Sequence, residues 1–223
     1  MISNPTTQDR LTALVQEVRA CRVCENHLPL GARPLIHVSA TSRLLIASQA
    51  PGTKAHFKNT SFMDPSGVRL RQWLGLTEDV FYDTQHVAIL PMGLCYPGRL
   101  PKGGDCPPRP ECAPIWRNRV LSLMPALQLT LLVGSYSQHH VLGKGSVTER
   151  VRNFRDYLPD NYFPLPHPSW RTGVWEKKAP WFQEEVIPAL REKVQAILAL
   201  SDEQAVGYRP ESPEHRKSGS GCR

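Results

Sequence analysis

The 223-residue sequence has no long uninterrupted run of apolar residues. A helix that crosses a membrane needs about 20 such residues in succession, so the composition argues against a membrane protein. Residues 1–8 also lack the basic start and the apolar stretch of a secretory signal peptide, and we therefore expect a cytoplasmic protein. Acidic residues are scarce as well, since 20 Asp and Glu stand against 27 Lys and Arg.

The resulting net charge of +7 is unevenly placed along the chain. Residues 201–223 carry four basic and four acidic side chains, so the whole excess lies on residues 1–200. A basic folded body favours a polyanionic partner, most commonly nucleic acid, although a merely soluble basic protein has the same charge. We expect one domain over residues 1–200. Because Ser, Gly, Pro and charged residues dominate residues 201–223, we expect a disordered tail there.

Short apolar runs bounded by turn residues predict four buried strands, at residues 44–48, 87–92, 129–133 and 162–165. Apolar residues at helical spacing predict helices over residues 8–20, 66–74, 112–124, 135–142, 148–157 and 180–200. We expect a capping box between Thr6 and Asp9 at the first helix and a kink at Pro188 in the last. The alternation of strands and helices predicts a three-layer α/β/α sandwich around a central, mostly parallel four-stranded sheet.

Two short motifs follow predicted strands. Residues 48–52 (SQAPG) come at the end of the first strand, and residues 167–169 (HPS) come just after the last. In an open parallel sheet, the loops that leave the carboxyl ends of the strands build the ligand crevice. We therefore expect the two motifs to face each other across a pocket, with Gln49 and His167 on opposite walls.

The six cysteines do not resemble a disulfide framework, because the chain is large and has no secretory signal. Cys21 and Cys24 stand within one turn of each other, as metal-binding thiolates often do. Cys95 and Cys112 follow the second predicted strand, with Cys106 between them as an extra residue. On spacing alone a metal or cluster site, including a four-thiolate zinc site, competes with free buried thiols.

Together, the two strand-end motifs and the four cysteines resemble the uracil-DNA glycosylase superfamily, nearest its iron–sulfur family 4. The resemblance implies a monofunctional DNA glycosylase that flips a uracil or a related damaged base out of DNA and hydrolyses its N-glycosidic bond. It also implies a [4Fe–4S] cluster, with zinc as the alternative. The cluster's ligands would be Cys21, Cys24, Cys95 and Cys112. No lysine lies in the motifs, so lyase chemistry is not expected, and we expect a monomer that acts on DNA.

The resemblance also implies roles for residues of the pocket. His167 would donate a hydrogen bond to the base carbonyl where negative charge collects, and Phe62 would stack on the base. The backbone of residues 49–52, together with the Gln49 side chain, would face the base, with Ala50 and Gly52 in close contact. Asp64 is a candidate to orient water, although Asp64 followed by proline is also typical of a helix N-cap.

Residues after the second motif suit contacts with DNA. Ser169 would contact phosphate, and Trp170 or Arg171 would insert where the base has left. The tryptophans and cations of this loop, Lys177 included, favour stacking and phosphate neutralisation, although Trp175 and Trp181 are also candidates for the core. Arg99 and Lys102 lie in a Pro- and Gly-rich loop that would present a basic surface.

Two positions depart from the family pattern. Ala50 stands where several branches have an Asp or Asn that orients water, and family 4 also has Ala there. The second strand region lacks the Asn that reads the uracil edge, and Pro91 falls near its position. The target is therefore uracil or a different modified base. A damaged-DNA-binding module of the same fold without hydrolysis is a further alternative.

Overall fold

The computed structural model describes residues 4–198, and its centre is a parallel sheet of four strands in the order β2-β1-β3-β4. The strands are β1 (Leu44–Ala47), β2 (Val87–Ile89), β3 (Leu129–Val133) and β4 (Tyr162–Leu165). Every pair is parallel, with Leu45 opposite Ala88 on one side and Thr130 on the other. The predicted sheet is therefore confirmed, and all four carboxyl ends meet at one edge.

Nine α-helices surround the sheet within the described part of the chain. They are α1 (Thr7–Arg19), α2 (Thr53–Lys58), α3 (Pro65–Leu74), α4 (Glu78–Tyr82), α5 (Cys112–Leu121), α6 (Ser135–Leu142), α7 (Val147–Arg152), α8 (Thr172–Lys178) and α9 (Ile187–Leu198). The capping box between Thr6 and Asp9 is present at the start of α1. None of the described helices combines the length and the apolar character that a membrane crossing requires.

Alternate residues of β1 point to opposite layers. Leu44 and Ile46 belong to a core shared with α3, α4, α7 and α9, whereas Leu45 packs with α1 and α5 on the other face. A strand buried on both faces is apolar throughout, which is why β1 is a continuous apolar run. The three-layer α/β/α architecture follows from these two cores.

Some element boundaries differ from the predictions. β2 ends at Ile89 rather than at residue 92, although the N–H groups of Leu90 and Met92 still donate to the carbonyls of Ile46 and Ser48, at 3.0 and 2.8 Å. The predicted helix over residues 148–157 is α7 followed by a 3₁₀ segment, Phe154–Asp160. Before Pro188 the last helix contains a π-helical segment, Phe182–Val186, which accommodates a residue that cannot donate a backbone hydrogen bond.

The short helices α2, α4 and α8 were not predicted, because segments of five to seven residues are too short to display helical periodicity. The predicted tail, residues 201–223, lies outside the described residues.

Candidate active site at the carboxyl edge of the sheet

A cavity of about 70 Å³ opens where β1 and β4 end, and we call it the strand-end cavity. One water molecule needs at least about 10–15 Å³ of such volume, so the cavity has room for more than one. Residues of four loops and of the first turn of α3 line it: Ser48, Ala50, Pro51, Gly52, Ser61, Phe62, Asp64, Ser66, Pro91, Asp105 and His167. Five of the side chains predicted for a base pocket therefore share one cavity.

Gln49 takes a different position from the predicted one. It is not among the residues that line the strand-end cavity, and its side-chain Nε2 donates a hydrogen bond to the carbonyl of Cys106, at 2.8 Å. The Gln49 side chain therefore ties residues 105–106 to the end of β1, and only its neighbours face the cavity. Orientation of this side chain depends on a contact 57 residues away.

The loop after β4 holds His167 against the end of β3. Gly134 has φ of +85°, and a Cβ there would lie 3.3 Å from the Cβ of His167, so the close approach requires glycine. The Thr172 hydroxyl donates a hydrogen bond to the His167 carbonyl. The imidazole is exposed to the cavity. Partial loss of hydration among the surrounding residues lowers the pKa of His167, and the charge of Asp64 opposes that shift.

A buried amide joins the strand ends beneath this loop. Gln138 of α6 is 0% exposed, and its Nε2 donates to the carbonyls of Leu132 and Leu165, at 3.2 and 2.9 Å. These carbonyls lie at the ends of β3 and β4. Gln138 therefore holds the end of β4 in place, and the loop that carries His167 begins there.

Phe62 lines the strand-end cavity in a strained backbone conformation. Its φ is +61°, which is unfavourable for a bulky residue, and its ring packs edge-on against Phe81. A Cβ on Gly67 would lie only 1.7 Å from the Phe62 carbonyl oxygen. The first turn of α3 therefore presses directly on Phe62. Phe62 is both a wall of the cavity and a contact of the core.

Asp64 begins a helix and also borders the strand-end cavity. It is the N-cap of α3, where Oδ1 accepts a hydrogen bond from the Gly67 N–H at 3.0 Å, and Pro65 follows at the first helical position. Its other oxygen, Oδ2, lies 3.9 Å from the position of a Cβ on Gly52 and so borders the cavity.

Asp105 is a cavity carboxylate that our sequence reasoning missed. Its Oδ2 lies 3.4 Å from the same Cβ position on Gly52. Burial raises its pKa, the charge of Arg99 opposes the shift, and Asp64 adds to it. Gly103 and Gly104 both have positive φ and form a tight turn before it. That pair of glycines was the available signal for a constrained turn.

Pro91 lines the cavity at the end of β2, where the family pattern has an Asn. A proline side chain offers no hydrogen-bond donor or acceptor to a base edge. Recognition at this wall therefore falls to other groups.

The loop that follows His167 carries the predicted DNA contacts on the surface. The Trp170 side chain is 75% exposed and the Arg171 guanidinium lies over its ring, at 5.1 Å from the centroid. The Arg69 guanidinium donates to the Ser169 carbonyl at 3.0 Å and anchors the loop to α3. Lys177 is exposed.

The two tryptophans further along the chain pack inward instead. Trp175 and Trp181 meet edge-on, and both contact Phe182 in the core. The alternative interpretation of these two residues as core aromatics is confirmed.

Arg99 and Lys102 are exposed on the loop that leads to Asp105. A Cβ on Gly103 or Gly104 would lie 3.8 Å from the Arg171 guanidinium. The two predicted basic loops therefore lie side by side along one rim of the cavity.

The four predicted metal-ligating cysteines share one neighbourhood. Burial raises the pKa of Cys95 to about 12, and the thiols of Cys112, Cys24 and Cys21 add to the shift. Burial likewise raises the pKa of Cys112 to about 11, although its sulfur accepts the Leu94 N–H at 3.3 Å. Backbone N–H groups directed at sulfur are typical of iron–sulfur sites.

The two predicted groups, a cluster and a single zinc ion, place different demands on these thiols. Within residues 4–198, no three His, Cys, Asp or Glu side chains are placed to hold a metal ion as they stand. Tetrahedral zinc requires all four sulfurs at about 2.3 Å from a single point. In a four-iron cluster each thiolate binds a different iron, so the ligands stand farther apart. Four thiolates are a donor set that either group uses.

The chain matches the uracil DNA glycosylase superfamily over residues 36–191. That range includes all four strands, the strand-end cavity and the loop that carries Trp170 and Arg171. It begins after Cys21 and Cys24, so it does not extend to the first cysteine pair. Because the match covers more than half of the chain and includes the whole cavity, the protein belongs to the uracil DNA glycosylase superfamily.

Proposed function

We propose that the protein is a monofunctional DNA glycosylase that takes a uracil or a related damaged base into the strand-end cavity and hydrolyses its N-glycosidic bond. The observation that carries this proposal is the placement of His167 in the strand-end cavity, on the loop that also carries the exposed Trp170 and Arg171. Flipping a base costs a few kcal/mol of unstacking. A side chain that fills the vacated space offsets part of that cost, and Trp170 is the most exposed candidate.

His167 stabilises the departing base in this proposal. When the glycosidic bond breaks, negative charge collects on a base carbonyl, and the neutral imidazole donates its N–H to that oxygen. The lowered pKa of His167 keeps the ring neutral near pH 7. Backbone N–H groups of residues 49–52 add donors on the opposite wall, while Gly52 leaves room for the base.

Phe62 and Asp64 complete the first layer around the base. The ring of Phe62 stacks on the base, held in place by Phe81 and by α3. The free oxygen of Asp64 faces the sugar side of the cavity, where it orients water. Ser169, Arg171, Lys177, Arg99 and Lys102 neutralise phosphates of a DNA strand that follows the cavity rim.

The wall formed by Pro91 bears on which base the cavity accepts. Pro91 provides no amide at the position where an Asn would read uracil. Backbone groups and His167 recognise a carbonyl, which uracil shares with other deaminated or oxidised bases. A modified base other than uracil therefore remains a specific second candidate.

Activity is tested with labelled oligonucleotides that carry uracil, hypoxanthine, xanthine or modified pyrimidines, followed by alkali to cleave abasic sites. Alkali-dependent cleavage supports a monofunctional glycosylase, and the substrates cleaved define its base. Cleavage without alkali contradicts the monofunctional mechanism. Binding without release of any tested base favours a damaged-DNA-binding module.

A matched pair of histidine variants links that activity to the cavity. We expect His167→Ala to slow base release by about 100- to 1,000-fold, the usual loss when one preorganised donor is removed. His139→Ala changes an exposed histidine on α6 and should retain the wild-type rate. Equal rates for the two variants would contradict the role of His167.

We further propose that Cys21, Cys24, Cys95 and Cys112 hold a [4Fe–4S] cluster. When bound, the cluster supplies a structural crosslink between the end of α1, the loop after β2 and the start of α5. The shared neighbourhood of the four thiols and the N–H donated to Cys112 support this assignment.

Metal content and two cysteine variants test the cluster. Gently purified protein should be brown and contain iron. Cys24→Ser should lose the iron, whereas Cys106→Ser should retain it. A colourless protein with stoichiometric zinc would contradict the assignment, as would loss of iron from Cys106→Ser alone.

A further inference from the structure

We infer that Asp105 takes the proton from the attacking water during base release, a role that rests on the proposed glycosylase function. Asp105 lies far from the strand-end motifs in the sequence, on the loop between β2 and α5. Ala50, at the end of β1, has no group that can accept a proton. The carboxylate therefore has to come from another element that reaches the same cavity.

Two carboxylates reach the strand-end cavity from different loops. The Oδ2 atoms of Asp105 and Asp64 lie 3.4 and 3.9 Å from one point, the position of a Cβ on Gly52. Both residues line the strand-end cavity. A water molecule beside Gly52 is thus within reach of either group.

The backbone around Asp105 is built to hold it there. The Leu100 N–H donates to the Gly104 carbonyl at 2.9 Å, and the Cys106 N–H donates to the Gly98 carbonyl at 2.8 Å. These bonds close a narrow hairpin whose turn contains Gly103 and Gly104. The Gln49 side chain then fastens the hairpin to the end of β1 through the Cys106 carbonyl. Gln49 is therefore a positioning residue for Asp105.

The surroundings of the two carboxylates separate their roles. Asp64 has one oxygen committed to the Gly67 N–H of α3. Among the described residues, no hydrogen bond is made to the carboxylate of Asp105, and burial raises its pKa. The charged groups around it are Arg99 on its own hairpin, Arg171 over the turn, and Asp64 and His167 across the cavity. Both oxygens of Asp105 are therefore open to a proton from water, whereas one oxygen of Asp64 is already occupied by the N-cap of α3.

The step balances with one water molecule. The water oxygen bonds to C1′ of the sugar while one of its protons passes to the Asp105 carboxylate. The bond between C1′ and the base nitrogen breaks, and its electron pair leaves with the base, whose carbonyl faces His167. Transfer of the proton from Asp105 to the released base restores the carboxylate. The Asp64 carboxylate, on the same cavity, favours the positive character that develops on the sugar.

Single-turnover base release tests this role, with the substrate that the wild-type protein cleaves and enzyme in excess. Asp105→Asn should slow release by about 100- to 10,000-fold, the range for loss of a general base. Its melting temperature should be unchanged, and so should its affinity for DNA with a stable abasic-site analogue. Asp105→Glu should recover part of the rate, and Asp79→Asn on α4 should retain all of it.

The pH profile adds a readout that a structural role would not move. The wild-type rate should rise with pH as Asp105 loses its proton and then level off, whereas Asp105→Asn should lack that rise. Wild-type rates for Asp105→Asn, or an unchanged rise in its profile, would overturn the inference. A large defect in Asp64→Asn without one in Asp105→Asn would assign the proton to Asp64 instead. A wild-type protein that releases no tested base would overturn the proposed function itself.

Discussion

The contact between Gly67 and Phe62 leads to a strong prediction about stability. Gly67 is the third residue of α3, where alanine is intrinsically better than glycine by about 1 kcal/mol. In this protein, however, the new Cβ would lie 1.7 Å from the Phe62 carbonyl oxygen and 2.8 Å from the Phe62 Cβ. The two atoms must roughly double their separation before they are in ordinary contact. Because the obstructing atom belongs to the backbone, no side-chain rotation relieves the clash.

We therefore expect Gly67→Ala to lower the free energy of unfolding by about 1–3 kcal/mol, as overpacking does in well-packed cores. For a chain of this size the corresponding fall in Tm is about 2–12 °C. The displaced backbone carries Phe62 and the cap Asp64 with it, so base release should also fall at temperatures where the variant is fully folded.

Gly173→Ala is the matched control, because Gly173 lies in the first turn of α8. A Cβ there would lie 3.6 Å from the Arg69 guanidinium, an ordinary contact with a flexible side chain. This variant should melt at or slightly above the wild-type temperature. Thermal unfolding followed by circular dichroism measures both variants. A Gly67→Ala protein that melts as high as Gly173→Ala would refute the assigned contact.

Three further predictions follow from other side chains. Trp170→Ala should weaken binding to DNA by about 5- to 150-fold, measured by fluorescence anisotropy. Because the side chain is 75% exposed, Tm should not change, and a fall in Tm would place Trp170 in the core. Gln138→Leu should lower the free energy of unfolding by about 1–3 kcal/mol in urea titrations, because the carbonyls of Leu132 and Leu165 lose the amide donor. No loss of stability would mean that water replaces the amide. Burial lowers the pKa of His37, so the unfolded chain binds protons more readily than the folded one. The contribution of His37 to the free energy of unfolding should therefore be fully present above about pH 6.5 and should be lost as the pH drops below that value. His37→Gln should reduce that fall in Tm between pH 7.5 and pH 5.5, and an unchanged fall would show that other groups cause it.

Much of the fold could be predicted because its signals are local. The run Leu44–Ala47 is apolar at every position, as a strand buried on both faces must be. The N-cap Asp64 was recognised from the proline that follows it. The π-helical segment was harder to predict, because it depends on how Pro188 is accommodated by the neighbouring turns of the helix.

The candidate site likewise contains residues that the sequence could predict and residues whose position depends on tertiary contacts. Ala50, Gly52 and His167 meet because parallel strands bring their carboxyl ends to one edge, and that rule needs only strand order. The direction of the Gln49 side chain depends on a hydrogen bond to a distant carbonyl, which no local pattern reveals. Asp105 enters the cavity only because a hairpin after β2 folds back over β1. Its contribution therefore required the tertiary structure.

The central claim is that a single extrahelical base occupies the strand-end cavity between Gly52 and His167. A crystal structure of Asp105→Asn bound to DNA that contains the preferred base tests it most directly. We predict density for that base inside the cavity, with a carbonyl oxygen within hydrogen-bonding distance of His167 and the ring against Phe62. A base that remains stacked in the DNA, or one bound at another surface while the cavity holds only water, would contradict the account.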